Sequence, residues 1–237
     1  MSILVVTGTG TGVGKTVVTA AVAALAAARG IRVAVVKPAQ TGVGADEPGD
    51  LDHVRRLTTV GDLHEYARLP DALSPAAAAR LAGVPPLDLG EVAARVRALA
   101  ADRDLVVVEG AGGLLVRYDD AGSTIAGLAR LLDAEVLVVV DPSLGTLNHT
   151  ALTLEALAHR DLGLSGVVIG AWPDDPDLAC RSNIRDLEAL AARPLTGAMR
   201  DGAGVLTPPE FLLAARAGVG PSWGGDFDAA DFRRAYD

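Results

Sequence analysis

Five short apolar runs punctuate the chain: Ile3–Thr7, Val33–Lys37, Leu105–Val108, Val136–Val140 and Gly166–Ile169. They are continuous rather than alternating, which predicts strands covered on both faces, as in a parallel sheet. Helical stretches lie between them: Val17–Arg29 closed by Gly30, Leu51–Leu57, Pro75–Leu81, Glu91–Ala101, Leu147–His159 and Pro176–Ala192. Val84-Pro85-Pro86 marks a turn between two of them. Pro38 predicts the end of the second strand, and Leu195–Ala198 a short last one. Residues 42–50, rich in Gly, Asp, Glu and Pro, predict a mobile loop, and Asp226–Tyr236 a short amphipathic helix. With no long linker and no repeat, the pattern predicts one domain over residues 1–237. Its class is α/β, with a doubly wound, mostly parallel sheet flanked by helices.

Composition narrows the partners. The chain has 237 residues, enough for one sizeable core. Half are hydrophobic but only 3% aromatic, so Ala, Val and Leu must fill that core. Acidic residues outnumber basic ones, 30 to 21, which argues against nucleic acid or an anionic membrane as the main partner. The apolar run at 17–28 is too short to span a bilayer, and no leader-like segment is read before the first strand. A single cysteine, Cys180, allows no intrachain disulfide; it suits packing, and a cytoplasmic setting.

The chemistry begins where the first strand ends. Ile3–Thr7 runs into Gly8-Thr9-Gly10-Thr11-Gly12-Val13-Gly14-Lys15-Thr16, and an alanine-rich helix follows. Strand, glycine loop and Gly-Lys-Thr at a helix start make a phosphate-binding P-loop, so the fold is a P-loop NTPase fold. The loop is a variant, because the usual first glycine falls at Thr9. Backbone N–H groups of Gly12, Val13, Gly14, Lys15, Thr16 and Val17 can surround a polyphosphate. Lys15 adds a point charge, and the Thr16 hydroxyl suits Mg²⁺.

In open parallel sheets ligands bind beyond the carboxyl ends of the strands, and polar residues gather at five such ends here. Glu109, closing a buried strand before Gly110-Ala111-Gly112-Gly113, is placed as a metal-directed carboxylate or as a loop carboxylate meeting helix N–H groups. Lys37 is placed either to double the positive charge near a transferring phosphoryl group or to snorkel at a sheet edge. The four histidines, His53, His64, His149 and His159, have no metal-ligand spacing and read as structural or solvent-facing; the candidate exception is His149, which lies beside the turn at 143–148.

Four blocks together resemble the dethiobiotin synthetase family, in its order and spacing. They are Thr7-Gly8-Thr9 with Thr11 and Val13-Gly14-Lys15-Thr16; Lys37-Pro38-Ala39-Gln40-Thr41-Gly42; Val108-Glu109-Gly110-Ala111-Gly112-Gly113; and Leu144-Gly145-Thr146-Leu147-Asn148-His149. The resemblance covers residues 3 to about 150 and is weak over the last 60 or so. It implies a cyclo-ligase of biotin biosynthesis, acting on 7,8-diaminopelargonic acid, CO₂ and a nucleoside triphosphate with Mg²⁺. One amine is carbamylated, the carbamate takes the γ-phosphoryl group, and the second amine closes the ureido ring.

The same resemblance assigns residues. Lys15, Lys37 and Thr11 serve catalysis; Thr11 and Thr41 bond the diamine or carbamate; Thr16, Asp50 and Glu109 bind Mg²⁺. Asp52 and Asp46 are alternatives to Asp50, which also fits a plain N-cap. Gly110, Ala111 and Gly112 belong to the nucleotide site. Gly145, Thr146, Leu147 and Asn148 hold the substrate carboxylate across a homodimer interface. The nucleoside falls to Gly170-Ala171-Trp172 and Met199-Arg200-Asp201. Many members have Asn-Asp after the late strand, where this chain has Gly170-Ala171-Trp172-Pro173-Asp174. This departure predicts relaxed base recognition, extending from ATP to a pyrimidine triphosphate such as CTP. Lys37→Ala is expected to remove product and leave the fold intact.

A second class is a switch ATPase of the ParA/MinD type, which carries an extra lysine where this chain has Gly10. The acidic balance and the lack of a basic or amphipathic membrane tail also oppose it. A cobyrinate-type amidoligase would need a glutamine-hydrolysing domain with a nucleophilic cysteine.

Overall fold

A computed structural model describes residues 2–236. The strands are β1 (Ser2–Gly8), β2 (Val33–Thr41), β3 (Leu63–Leu69), β4 (Leu105–Gly113), β5 (Glu135–Val140), β6 (Leu164–Trp172) and β7 (Gly197–Arg200). The helices are α1 (Lys15–Ala28), α2 (Asp50–Leu57), α3 (Pro75–Ala82), α4 (Leu89–Asp102), α5 (Ile125–Leu132), α6 (Thr146–Ala158), α7 (Leu178–Ala191), α8 (Pro208–Gly218) and α9 (Ala229–Tyr236). The strands form one sheet in the order β3-β2-β4-β1-β5-β6-β7, and every pair is parallel. The expected doubly wound architecture is therefore present, with a wholly parallel sheet among the described residues.

Each inner strand feeds two cores. Leu4 and Val6 face the layer of α1, α2 and α8, whereas Val5 faces that of α4, α5 and α7. Helix α1 is buried almost throughout, and its alanines allow close approach to the sheet. Strand order reverses around β1: β4 lies on one side and β5 on the other. That places the loop after β1 at the crevice where such sheets bind ligands.

Three elements depart from the expected pattern. Strand β3 was not anticipated: its sequence, Leu-His-Glu-Tyr-Ala-Arg-Leu, is mostly half-buried, as suits an edge strand. Helices α5 and α8 were not anticipated either. Both carry local signals, a Thr124 cap accepting from Gly127 and a Thr207/Glu210 capping box over Pro208-Pro209. Pro38 does not end β2. Pairing with β4 stops at Val36 while pairing with β3 continues to Thr41, so the missing N–H falls beyond the last β4 pair.

Candidate active site

The phosphate loop is shaped by two glycines in the left-handed region, Gly12 at φ 79° and Gly14 at φ 93°. Gly14 caps α1 with no side-chain partner, which leaves the first N–H groups of a 14-residue helix for a ligand. A Cβ at Gly14 would lie 2.6 Å from the Gly170 carbonyl oxygen, and one at Gly170 would lie 1.9 Å from that of Val13. The two glycines therefore let the loop and β6 touch backbone to backbone. Lys15 folds back over the loop, its Nζ donating to the Gly10 carbonyl at 2.7 Å. Burial first, then the neighbouring Lys37 charge, lowers its pKa to about 8, against the pull of Glu109 and Asp50.

Lys37 projects from β2 into the same cleft and is 3% exposed. Its ammonium lies 2.5 Å from Asp50 Oδ2 and 2.9 Å from Glu109 Oε1, and donates to the Gly110 carbonyl at 3.1 Å. Burial alone would lower its pKa, but Glu109 and Asp50 outweigh burial and raise it. For Asp50 the balance is the mirror image. Burial favours the neutral acid, yet Lys37, by charge and hydrogen bond, holds the carboxyl below its ordinary value. The snorkelling alternative for Lys37 is thereby set aside.

Thr16 Oγ1 donates to Glu109 Oε1 at 2.9 Å, so Thr16, Asp50, Glu109 and Lys37 form one connected cluster. Glu109 is fully buried, and its Oε2 has no hydrogen-bond partner. An orphaned carboxylate oxygen beside a hydroxyl and a second carboxylate is a donor set suited to a hard dication. No group of three or more His, Cys, Asp or Glu among the described residues could hold a metal. A dication here would complete its shell with phosphate oxygens and water, as Mg²⁺ commonly does. Asp52 is committed elsewhere: its Oδ2 accepts the Gly49 N–H at 2.9 Å, and its Oδ1 pairs with Arg55. Asp46 does not line the cleft.

This cleft, of about 570 Å³, brings together Thr11, Gly12 and Gly14–Val17 with Lys37, Thr41, Asp50, Glu109, Ala111 and Gly112. Val13 and Gly110 do not line it: Val13 is buried in the α1-side core, and Gly110 offers its carbonyl to Lys37. Gly145–Asn148, at the start of α6, do not line it. Of the late-strand segments, Gly170 touches the phosphate loop, but neither 170–172 nor 199–201 lines the cleft. The Trp172 ring packs edge-on to Phe232 and Tyr236, 4.9 Å from each, and the Trp172 carbonyl accepts the Asp201 N–H at 2.7 Å. Met199 is fully buried in the α1-side core, while Arg200 and Asp201 are exposed.

A family model described as an AAA domain matches residues 2–201. Curated relatives match from end to end. A protein of Parafrankia sp. (strain EAN1pec) is 65% identical over all of this chain and 99% of its own, and one of Frankia casuarinae is 64% identical over both whole chains. Each is named ATP-dependent dethiobiotin synthetase BioD. The chain belongs to the dethiobiotin synthetase family. Solved structures of lower identity share the fold. A ParA family ATPase from Chlorobium tepidum superposes with a TM-score of 0.56 at 16% identity over 90% of each chain. The Pyrococcus furiosus cell division ATPase MinD gives 0.54 at 18%, covering 91% of this chain and 89% of its own. Membership of the dethiobiotin synthetase family separates the chain from these switch ATPases, which it resembles only as a fold.

Three residues escaped the sequence reading. Gln40 entered only as a member of the block 37–42, without a role; its Oε1 accepts the Asp50 N–H at 2.8 Å. Arg68 lies on the unanticipated β3 and donates to the Gly44 and Glu47 carbonyls at 3.1 and 2.6 Å. The 42–50 segment is irregular, as expected, yet it is pinned at both of these points. Tyr118 is fully buried, and its hydroxyl accepts the Ala111 N–H at 3.0 Å, which steadies the glycine run after Glu109. Only Gln40, inside the Lys-Pro-Ala-Gln-Thr-Gly block, carried a signal that could have been followed.

Proposed function

We infer that the protein is a nucleoside triphosphate-dependent dethiobiotin synthetase: it carboxylates 7,8-diaminopelargonic acid and closes the ureido ring. The observation that carries this reading is the meeting of Lys15, Lys37, Thr16, Asp50 and Glu109 in one cleft. The phosphate loop and α1 N-terminus bind the triphosphate. Thr16, Asp50 and Glu109 hold Mg²⁺, which, when bound, offsets charge on the β- and γ-phosphates. Thr11 and Thr41, which both line the cleft, orient the diamine.

The difficult step is attack by one anion on another. A carbamate oxygen bonds to the γ-phosphorus, and the nucleoside diphosphate leaves. Lys37 and Lys15 bring two ammonium groups to that encounter in a part-buried site, where charge acts more strongly than in water. The second amine then attacks the carbamate carbon, phosphate departs, and the amine loses a proton to complete the ring. Positioning supplies much of the rate, because both amines are held near one carbon.

Gly145–Asn148 lie outside this chain's cleft, which supports a homodimer in which the start of α6 serves the partner's site. A helix N-terminus suits the substrate carboxylate. Gly170, Ala171 and Trp172 meet the nucleoside, as do residues 199–201, and no carboxamide stands among them. This favours acceptance of more than one base. No helix among the described residues is long and apolar enough to cross a membrane, in keeping with a cytoplasmic enzyme. The test is incubation with diaminopelargonate, bicarbonate, Mg²⁺ and, separately, ATP, CTP and GTP, with dethiobiotin detected by mass. Product with at least one triphosphate is expected. No product with any of them overturns the assignment, and turnover with ATP alone removes the relaxed-base reading. Light scattering at about twice the chain mass tests the dimer.

A further inference from the structure

Lys37 stands where a cation is wanted. Its ammonium touches Asp50 Oδ2 at 2.5 Å and Glu109 Oε1 at 2.9 Å, the two carboxylates read above as metal ligands. Thr16 Oγ1, the third ligand, donates to the same Glu109 Oε1 at 2.9 Å. An ion drawing on all three residues must take contacts that the ammonium and the Thr16 hydroxyl now make. Lys37 and Glu109 are both almost wholly buried, so neither can swing into solvent when the other is lost. The second oxygen of Glu109, Oε2, is buried and unpartnered, so the pair is incompletely satisfied by Lys37. A dication with a larger charge and more coordination sites can satisfy what the ammonium leaves open.

We propose that Lys37 is the resident cation of the Asp50–Glu109 pair, and that a divalent ion loads only by displacing it. The inference rests on the reading of Thr16, Asp50 and Glu109 as the metal ligands. It adds an order to that reading. A bare metal ion must compete with a tethered, buried ammonium and binds weakly. A nucleotide supplies phosphate oxygens that attract the released ammonium, so it removes the competitor and strengthens metal binding. By linkage, metal and nucleotide then raise each other's affinity by the same factor. The displacement also delivers Lys37 to the reacting phosphate only once the metal is in place. In the empty enzyme that charge is held on the carboxylates.

The probe is Mn²⁺, titrated without nucleotide and read by electron paramagnetic resonance of the free ion. Lys37→Met is expected to bind Mn²⁺ about tenfold or more tightly than the parent chain, within the range of ordinary coupling energies. Adding Glu109→Gln to that variant should return it to weak binding. Equal or weaker Mn²⁺ binding by Lys37→Met overturns the displacement. Tighter binding that Glu109→Gln leaves unchanged overturns instead the reading of Glu109 as a ligand. Far-UV circular dichroism and a cooperative urea transition like that of the parent chain show that the variants fold. The unaltered protein gives an independent test, using its ¹⁵N-labelled lysine ammonium signals with that of Lys37 assigned from Lys37→Arg. The Lys37 signal should shift when Mg²⁺ and nucleotide are added together. A signal unmoved by the pair overturns the proposal.

Discussion

Gln40 holds Asp50 by its backbone: the side-chain Oε1 on β2 accepts the first N–H of α2 at 2.8 Å. That bond sets the carboxylate of Asp50 against the Lys37 ammonium. Gly49, just before it, is the tight point, where a Cβ would lie 2.8 Å from Arg68 Nη2 and 3.0 Å from Gln40 Oε1. Gln40→Ala is expected to cost about 1 kcal/mol of stability and to raise KM for the metal–nucleotide complex, with KM for the diamine little changed. Gly49→Ala, which forces both neighbours aside, should cost about 1–3 kcal/mol and move the same KM. Steady-state kinetics with each substrate varied in turn checks both. A change confined to the diamine would place Gln40 in the substrate site instead.

Lys37→Ala should remove product, and its ion pairs add a stability cost to that expectation. The substitution leaves Asp50 and Glu109 facing each other with no cation between them. Breaking a buried pair on one side costs about 3–5 kcal/mol. Urea denaturation of the variant should show a loss of that order near neutral pH. Lys37→Ala as stable as the parent chain would mean that water already shields the two carboxylates.

How much of this was legible in the residues depends on how local each cause is. The phosphate loop, Thr16, Lys37 and Glu109 each follow a continuous apolar strand, and the strand ends of a parallel sheet converge, so their meeting could be read in advance. Asp50 was readable only through its register in the family. Strand β3 was not: an edge strand with Glu65 and Arg68 paired along its surface lacks both the alternation and the apolar run that mark strands. Missing β3 meant missing Arg68, and so the 42–50 segment read as free. Pro38 misled for a related reason, because its effect depends on which neighbouring strand still pairs at that level. Tyr118 has no pattern at all; its partner, the Ala111 N–H, is set by the turn after β4.

An acid-side test is offered by Asp62, away from the cleft. Its carboxylate accepts from Arg103 Nε at 2.6 Å and bonds His64 Nε2 at 2.7 Å. Burial opposes the charge, but the bonds from Arg103 and His64 prevail and hold the carboxyl below 3.8. A lowered folded-state pKa contributes stability that is present above the unfolded value and lost as pH falls through the folded one. Asp62→Asn should therefore cost about 1 kcal/mol at pH 7, discounted for partial exposure. The gap between variant and parent should close as pH falls below about 4. Denaturant midpoints at pH 7, 5 and 3.5 measure it, and a gap that stays constant would show that Asp62 acts by shape alone.

The turn after β5 is fastened from α7. Asn183 is buried, and its Nδ2 donates to the Pro142 carbonyl at 2.8 Å and to the Ser143 carbonyl at 3.2 Å. Those carbonyls lie immediately before the Gly145 cap, at φ 100°, from which α6 starts. The Thr146 N–H turns back to the Ser143 carbonyl at 3.2 Å, and the N–H groups that follow at the head of α6 are those proposed above to meet a carboxylate on a neighbouring subunit. Asn183→Ala takes this donor from the buried Pro142 carbonyl, while the Ser143 carbonyl keeps the Thr146 N–H, a loss of about 1 kcal/mol. It should also loosen the turn, raising KM for the diamine several-fold while KM for the nucleotide stays put. Asn183→Asp keeps the shape but sets a carboxylate against two carbonyl oxygens, so it should be worse than alanine. If both variants instead raise KM for the nucleotide, the head of α6 does not serve the substrate carboxylate.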